Sequence, residues 1–260
     1  RFDFKKIQTG FLRFKVKSLN GGRIIAAFGE QLDDCGRINM RALNSVNIVE
    51  WRFPNGEFEM ITTSPYTAKY IDVYVIEGDA DTAVSIVELA FPKAGIPEFL
   101  CNDDDLNMIY RAGVRSFRHN VLDIYMDCPS RERAGWLFDS YYTAKAEYVL
   151  TGKTVVEKAF LENYINGGNL KNHKGMVSMC YPSDVFSGSF VPQWSLWYIL
   201  EIYEYVTVRR GDIPKERFKE QVCGIFDYFK DYENEYGLLE RLGGWNFVEW
   251  SELNNRVFDV

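Results

Sequence analysis

The sequence predicts a β-plus-α protein of more than one domain. An antiparallel β-sandwich is expected over residues 1–93, a linker over 94–101 and paired helices over 102–260. Three observations predict this. Apolar and charged residues alternate with period two up to about residue 93. Pro92 and Pro97 then interrupt the pattern. Beyond them the apolar residues recur every three or four positions, as on one face of a helix.

In the first region, "FLRFKVKSL" (11–19) sends Leu12, Phe14 and Val16 one way and Arg13, Lys15 and Lys17 the other, the pattern of a half-buried strand. "NGG" at 20–22 reads as the turn into "RIIAAFGE". "DDCG" at 33–36 is a second turn. "NIVEWRF", "FEMITT", "KYIDVYVIEG" and "AVSIVELAF" follow, divided by "PNGE", "SPYT" and "GDADT". Short strands at such spacing suit an antiparallel sandwich.

In the second region, "NDDDLNMIYRAGVRSFRHNVLDIY" opens with Asn102 and three Asp, which favour a helix start through capping and the helix dipole. Leu106, Ile109, Tyr110, Val114 and Phe117 form its apolar stripe. "GWLFDSYYTAKAEYVLTG" is a second helix closed by Gly152, and "TVVEKAFLENYING" a third closed by Gly167. "PQWSLWYILEIYEYVTVRRGD" is a fourth. "PKERFKEQVCGIFDYFKDYENEYG" is a fifth, with Pro214 in its first turn. Residues 168–192 form a long loop of the kind that often carries function. Periodicity leaves two arrangements open for these helices: a small bundle, or the first part of an α/α toroid.

Composition narrows the function. The chain has 260 residues, 47% of them hydrophobic, which suits packed domains. Its net charge of -7 argues against general binding to nucleic acid, which needs a basic surface. No apolar run approaches a membrane span of about 18 residues. "RFDFKKIQTG" has no signal-peptide pattern and begins inside a strand, so residues are expected to precede Arg1. The five Cys (35, 101, 128, 180 and 223) are odd in number and far apart, which suits reduced thiols and either a bacterial cytoplasm or periplasm. With only two His, His119 and His173, a common His/Cys zinc site is not expected. Aromatics at 16% suit a ring-rich core or a sugar-binding cleft.

"MDCPSRERAGWLFDS" (126–140) concentrates charge between apolar stretches. Asp127 and Glu132 are expected on a loop, with a helix beginning near Gly135 that carries Asp139 one turn in, beside Trp136. Several carboxylates converging on one mouth would push at least one pKa upward, as a general acid needs. Arg131 and Arg133 would hold the others ionised or bind sugar hydroxyls. The alternative is a structural salt-bridge network at a helix entry. His119 reads as a packing or capping residue, while His173 and Tyr181 lie in the long loop.

"DCPSRERAGWLFDS" resembles the acidic motif of the glycoside hydrolase family 78 α-L-rhamnosidases: Asp-Cys-Pro, Arg with one or two acids, Gly-Trp, then Asp. "FDFKKIQTGFLRFKV", "GEQLDDCGRIN" and "SPYTAKYIDV" are similar to segments of the β-sandwich that precedes the catalytic domain in that family. "VPQWSLWYILEIYEYVTVRRGD" and "GGWNFVEWSE" resemble an inner helix and a later loop. The resemblance implies an incomplete (α/α)6 six-hairpin barrel and removal of terminal α-L-rhamnose by inversion. It makes Glu132 the general acid and Asp127 and Asp139 its flanking acids. It places Arg131 and Trp136 in the pocket wall, and Trp245, Glu249 and Trp250 against the sugar. An inverting pair stands about 6.5–9.5 Å apart. No segment matches the family's general-base loop, which is expected C-terminal to this chain.

Two departures stand out. A single acid follows Arg131 where many relatives have Asp-Glu, and Glu249 stands where the usual residue is Asp. The resemblance implies a rhamnose-containing glycan as partner, and neither a metal, an organic cofactor, nucleic acid nor a membrane. A non-catalytic carbohydrate-binding or degenerate paralogue, or a six-hairpin hydrolase for another sugar, stays as an alternative.

Overall fold

The structure is a computed structural model that describes residues 1–41, 45–173, 175–183 and 188–248. The chain folds into two compact units. One is Arg1–Phe91 together with Cys128–Glu132; the other is Pro92–Asp127 with Arg133–Val260.

The first unit holds β1 (Phe2–Ser18), β2 (Gly22–Gly29), β3 (Ile48–Phe53), β4 (Gly56–Ile61), β5 (Tyr66–Gly78) and β6 (Asp81–Glu88). All six belong to one antiparallel sheet, in the order β3-β2-β5-β1-β4 with β6 also on β1. The 17-residue β1 joins its parts. Its first half pairs with β5, from Phe2 opposite Ile71 to Gly10 opposite Tyr66. Its second half pairs with β4 from Arg13 to Ser18, and β6 takes the other edge from Gly10 to Lys17. The register with β5 shifts between Asp3 and Gln8. There Lys5 takes φ 65° and donates its N–H to Asp3 Oδ1 at 2.8 Å, the local kink of a β-bulge.

The alternation expected of β1 is met: Leu12 and Phe14 are 0% exposed and Val16 2%. They form a core with Ile24, Ala26, Phe28, Phe53, Ala68 and Ile71, against which Phe58 and Met60 of β4 and Val84 and Ile86 of β6 also pack. Residues of all six strands thus share one core, which requires the single sheet to curl over on itself. Each fully buried Leu, Ile or Phe contributes about 1.5–3 kcal/mol.

The second unit holds α1 (Asp104–Asn120), α2 (Leu137–Thr151), α3 (Val155–Gly167), α4 (Pro192–Thr207) and α5 (Lys219–Lys230), with a 3-10 turn at Lys215–Phe218 leading into α5. Asp103 caps α1 by accepting from the N–H groups of Asp105 and Leu106, and Asp104 and Asp105 meet the positive end of the dipole. Gly152 ends α2 in the left-handed conformation at φ 65°, a role for which glycine carries no steric penalty. Pro192 opens α4 at its first turn, where a missing N–H costs nothing.

The stripe expected on α1 is placed differently. Leu106 and Ile109 are 50% and 62% exposed, and Asn107 is buried in their stead. The Asn107 side chain accepts from Cys101 N and donates to Cys101 O, so a polar residue ties down the start of α1. Apolar burial on α1 comes at its far end, through Phe117. The long segment 168–191 is packed, with Leu170, Met176, Val177, Cys180 and Phe190 all buried. Bridges pair Asn169 with Val177 and Trp136 with Cys180.

Candidate active site

The acidic motif forms a loop closed at its base by backbone geometry. Asp127 N donates to Ala134 O at 3.2 Å, and Asp127 Oδ1 accepts from Ala134 N at 3.2 Å. Within this loop Arg133 takes φ 52°, a left-handed conformation that a non-glycine residue adopts at some cost. Cys128–Glu132 belongs to the first compact unit. There the buried Thr67 hydroxyl donates to Pro129 O at 2.9 Å and accepts from Thr9, 3.0 Å away. Cys128 Sγ accepts from Glu132 N at 3.4 Å, and Arg131 Nη2 meets Glu132 Oε1 at 2.5 Å. The Arg131 and Glu132 side chains are 41% and 34% exposed.

The helix after the motif starts at Leu137, two residues later than Gly135. Gly135 serves instead as a point of close approach. A Cβ there would stand 2.5 Å from Tyr181 O and 3.1 Å from the Phe160 ring. Tyr181 N donates to Gly135 O at 3.0 Å and Leu137 N donates to Met179 O at 3.1 Å, so the end of the motif and the long segment are laced together.

Asp127 and Asp139 line one cleft of about 350 Å³. Ser116 and Asn120 of α1, with Phe138, Tyr142 and Thr143 of α2, complete most of its wall. Asp139 is set by the first turn of α2, where Thr143 Oγ1 also donates to Asp139 O at 2.8 Å. Carboxylates, an amide, hydroxyls and two ring faces suit a small polyhydroxylated ligand, which presents both hydroxyls and apolar C–H faces. Glu132 and Arg131 are not among the residues lining this cleft.

Trp136 stands edge-on to Trp194 at 5.4 Å, and Trp194 meets Phe247 at 5.7 Å. Trp245 packs on Phe247 at 4.9 Å and is 39% exposed, so part of its surface is open. Glu249 and Trp250 lie outside the described residues. His173 packs on the Phe190 ring at 4.8 Å, the Tyr181 ring meets Tyr164 at 5.9 Å, and His119 is buried at the end of α1. Many rings serve the core: Tyr125, Tyr164, Tyr198 and Tyr205 are 0% exposed.

Beneath the cleft lies a buried polar network that no motif announced. Glu147, Glu157 and Glu201 are each 0% exposed. Glu147 accepts from Val155, Val156 and Glu157 N–H groups at 2.8–3.0 Å, capping α3 from α2, and from the Tyr125 hydroxyl. Arg209 clasps Glu157 through Nε at 2.9 Å and Nη2 at 2.6 Å, and reaches Glu204 through Nη1 at 2.7 Å. Burial pushes the Glu157 carboxyl up to about 7, against the lowering pull of Arg209. Burial also works against the charge on Glu204. Hydrogen bonds from Tyr141, Arg209 and Lys145 outweigh it and hold that carboxyl below the ordinary range. The signal for these residues was faint: single acids inside apolar helical runs such as "AKAEYVL" and "WYILEIYEYV".

All five Cys are reduced thiols. Among the described residues no cluster of three His, Cys, Asp or Glu is placed to hold a metal ion, and no helix is long and apolar enough to cross a membrane.

Comparison with known proteins gives concordant matches. Residues 2–90 match the bacterial alpha-L-rhamnosidase concanavalin-like domain, and residues 95–259 the bacterial alpha-L-rhamnosidase 6 hairpin glycosidase domain. An alpha-L-rhamnosidase of Formosa agariphila is 26% identical over 168 residues, covering 60% of this chain and 17% of that protein. A GH78 family rhamnosidase of Bacillus sp. GL1 has a similar fold, with a TM-score of 0.82 and 20% identity over 97% of this chain and 26% of its own. A Klebsiella oxytoca rhamnosidase solved with rhamnose bound gives a TM-score of 0.78 and 17% identity over 95% of this chain and 52% of its own.

Proposed function

Because the chain belongs to the bacterial alpha-L-rhamnosidase six-hairpin glycosidase family, we propose that it forms part of a glycoside hydrolase that removes terminal α-L-rhamnosyl residues. The observation that carries this reading is the shared cleft of Asp127 and Asp139, of a size and polarity suited to one sugar ring.

In this reading Glu132 is the general acid, protonating the departing glycosidic oxygen. Asp127 and Asp139 bind ring hydroxyls. The pairing of Arg131 with Glu132 suits a site awaiting substrate. An exposed pair of this kind is worth about 0–1 kcal/mol, so a sugar hydroxyl displaces the guanidinium at little cost. Trp136 and Trp245 offer ring surface to the apolar face of the sugar, with Glu249 and Trp250 adding contacts. The general base of an inverting reaction is assigned to sequence beyond Val260, in keeping with the part of its relatives' length that this chain spans.

The test is a panel of aryl glycosides given to the full encoded protein. Release of the aryl group from α-L-rhamnoside, with little from α-L-fucoside or β-D-glucoside, supports the assignment. Preferred cleavage of another sugar moves it to a hydrolase of different specificity. Rhamnose binding without cleavage of any glycoside moves it to a carbohydrate-binding paralogue.

A further inference from the structure

Ser140 follows Asp139 in the first turn of α2 and is 0% exposed. Its Oγ lies 2.6 Å from Leu137 O and 2.6 Å from Glu201 Oε2. A hydroxyl carries one hydrogen, and a backbone carbonyl can only accept. Ser140 therefore donates to Leu137 O, and the second short contact needs a hydrogen on Glu201. With an ionised Glu201, one of the two contacts would set lone pairs against each other at 2.6 Å.

The surroundings of Glu201 agree. Its Oε1 has no hydrogen-bond partner among the described residues, which an ionised buried carboxylate would tolerate poorly. Charged and titratable groups face it from several elements: Tyr125 before α2, Glu157 and Tyr164 on α3, Tyr198 and Glu204 on α4, and Arg209. The Arg209 guanidinium is directed to the Glu157 and Glu204 carboxylates and meets only the backbone carbonyl of Glu201, at 3.4 Å. Burial, and then the charge of Glu157, push the Glu201 carboxyl well above its ordinary range.

The start of α2 needs such support. Its N-cap, Trp136, supplies no side-chain hydrogen bond to the first turn. We propose that Glu201 is a positioning residue: as a neutral acid it donates to Ser140, fixes the first turn of α2, and so sets where Phe138 and Asp139 stand in the cleft. This rests on the reading of Asp139 as a sugar contact.

Three variants in the full encoded protein test it. Glu201→Gln keeps a donor of the same length, Glu201→Met removes the donor at similar volume, and Ser140→Ala removes the acceptor. The Gln variant is expected to keep kcat on an aryl α-L-rhamnoside. The Met and Ala variants are expected to lose about 10–10²-fold in kcat, well below their unfolding temperature, as misplacement of a reacting group does. Amide exchange at Ser140 is expected to quicken in the Met variant and stay as wild type in the Gln variant. In the infrared, wild type at neutral pH is expected to show a protonated-carboxyl C=O band that is absent from Glu201→Gln. No such band, or a Gln variant as impaired as the Met variant, overturns the proposal. A wild type without glycosidase activity overturns the functional reading alone, since the band and the exchange pattern still decide whether neutral Glu201 holds the turn.

Discussion

Replacing Arg209 with Met strands a carboxylate in the helical unit. Arg209 is 7% exposed and Glu157 0%, and the guanidinium is the charge partner of Glu157. Glu204 keeps Tyr141 at 2.7 Å and Lys145 at 3.1 Å, so the loss falls mainly on Glu157. Removing one partner of a buried pair costs about 3–5 kcal/mol, more than the pair itself is worth.

The cost depends on pH with a definite sign. The folded pKa of Glu157, at about 7, lies above its ordinary value of 4.5. A raised carboxyl contributes stability that is full below the unfolded pKa and is lost as pH rises through the folded one. Without Arg209 that loss extends to higher pH, at about 1.4 kcal/mol per unit. Arg209→Met is therefore expected to lose about 3–5 kcal/mol near pH 8 and less than half of that near pH 5. Adding Glu157→Gln is expected to recover at least half of the loss at the higher pH. The assay is urea unfolding followed by the fluorescence of Trp136, Trp194 and Trp197, at both pH values. A loss below about 1 kcal/mol that is flat with pH and untouched by the second substitution would refute the stranded-charge reasoning.

Three further outcomes are expected. Glu147→Ala frees three amides at the start of α3 and should cost about 2–3 kcal/mol, with faster hydrogen exchange at Val155, Val156 and Glu157. Gly135→Ala drives a Cβ to 2.5 Å from Tyr181 O and should cost about 1–3 kcal/mol, read as a lower urea midpoint. Thr67→Val removes the bond to Pro129 O and should cost about 1 kcal/mol, with faster exchange at Glu132 N as the motif loosens.

Legibility in the sequence followed the range of the interactions. The alternation of Leu12, Phe14 and Val16 was readable because strand period is local, and the cap of α1 because Asp103 bonds only two and three residues on. The curling of the sheet was not readable, since it depends on β1 pairing with β5 in one half and β4 in the other, some 50–60 residues away. Asp127 and Asp139 stood out by charge density in one short motif. The Glu157–Arg209 and Ser140–Glu201 pairs join residues 52 and 61 positions apart, and nothing local in a helical run marks an acid that will be buried. The exposed start of the α1 stripe shows the converse: helical period finds a face without saying what that face meets.

Glu132 as proton donor is decided by leaving-group dependence. Wild type and Glu132→Gln in the full encoded protein would be compared on a phenyl and a dinitrophenyl α-L-rhamnoside, with the first-formed sugar followed by NMR. A general acid matters most when the leaving group is poor. The expected result is a loss of about 10²–10⁴-fold on the phenyl glycoside, a far smaller loss on the dinitrophenyl glycoside, and β-L-rhamnose as the first anomer. Equal losses on both substrates, or α-L-rhamnose first, would contradict inverting catalysis with Glu132 as the acid.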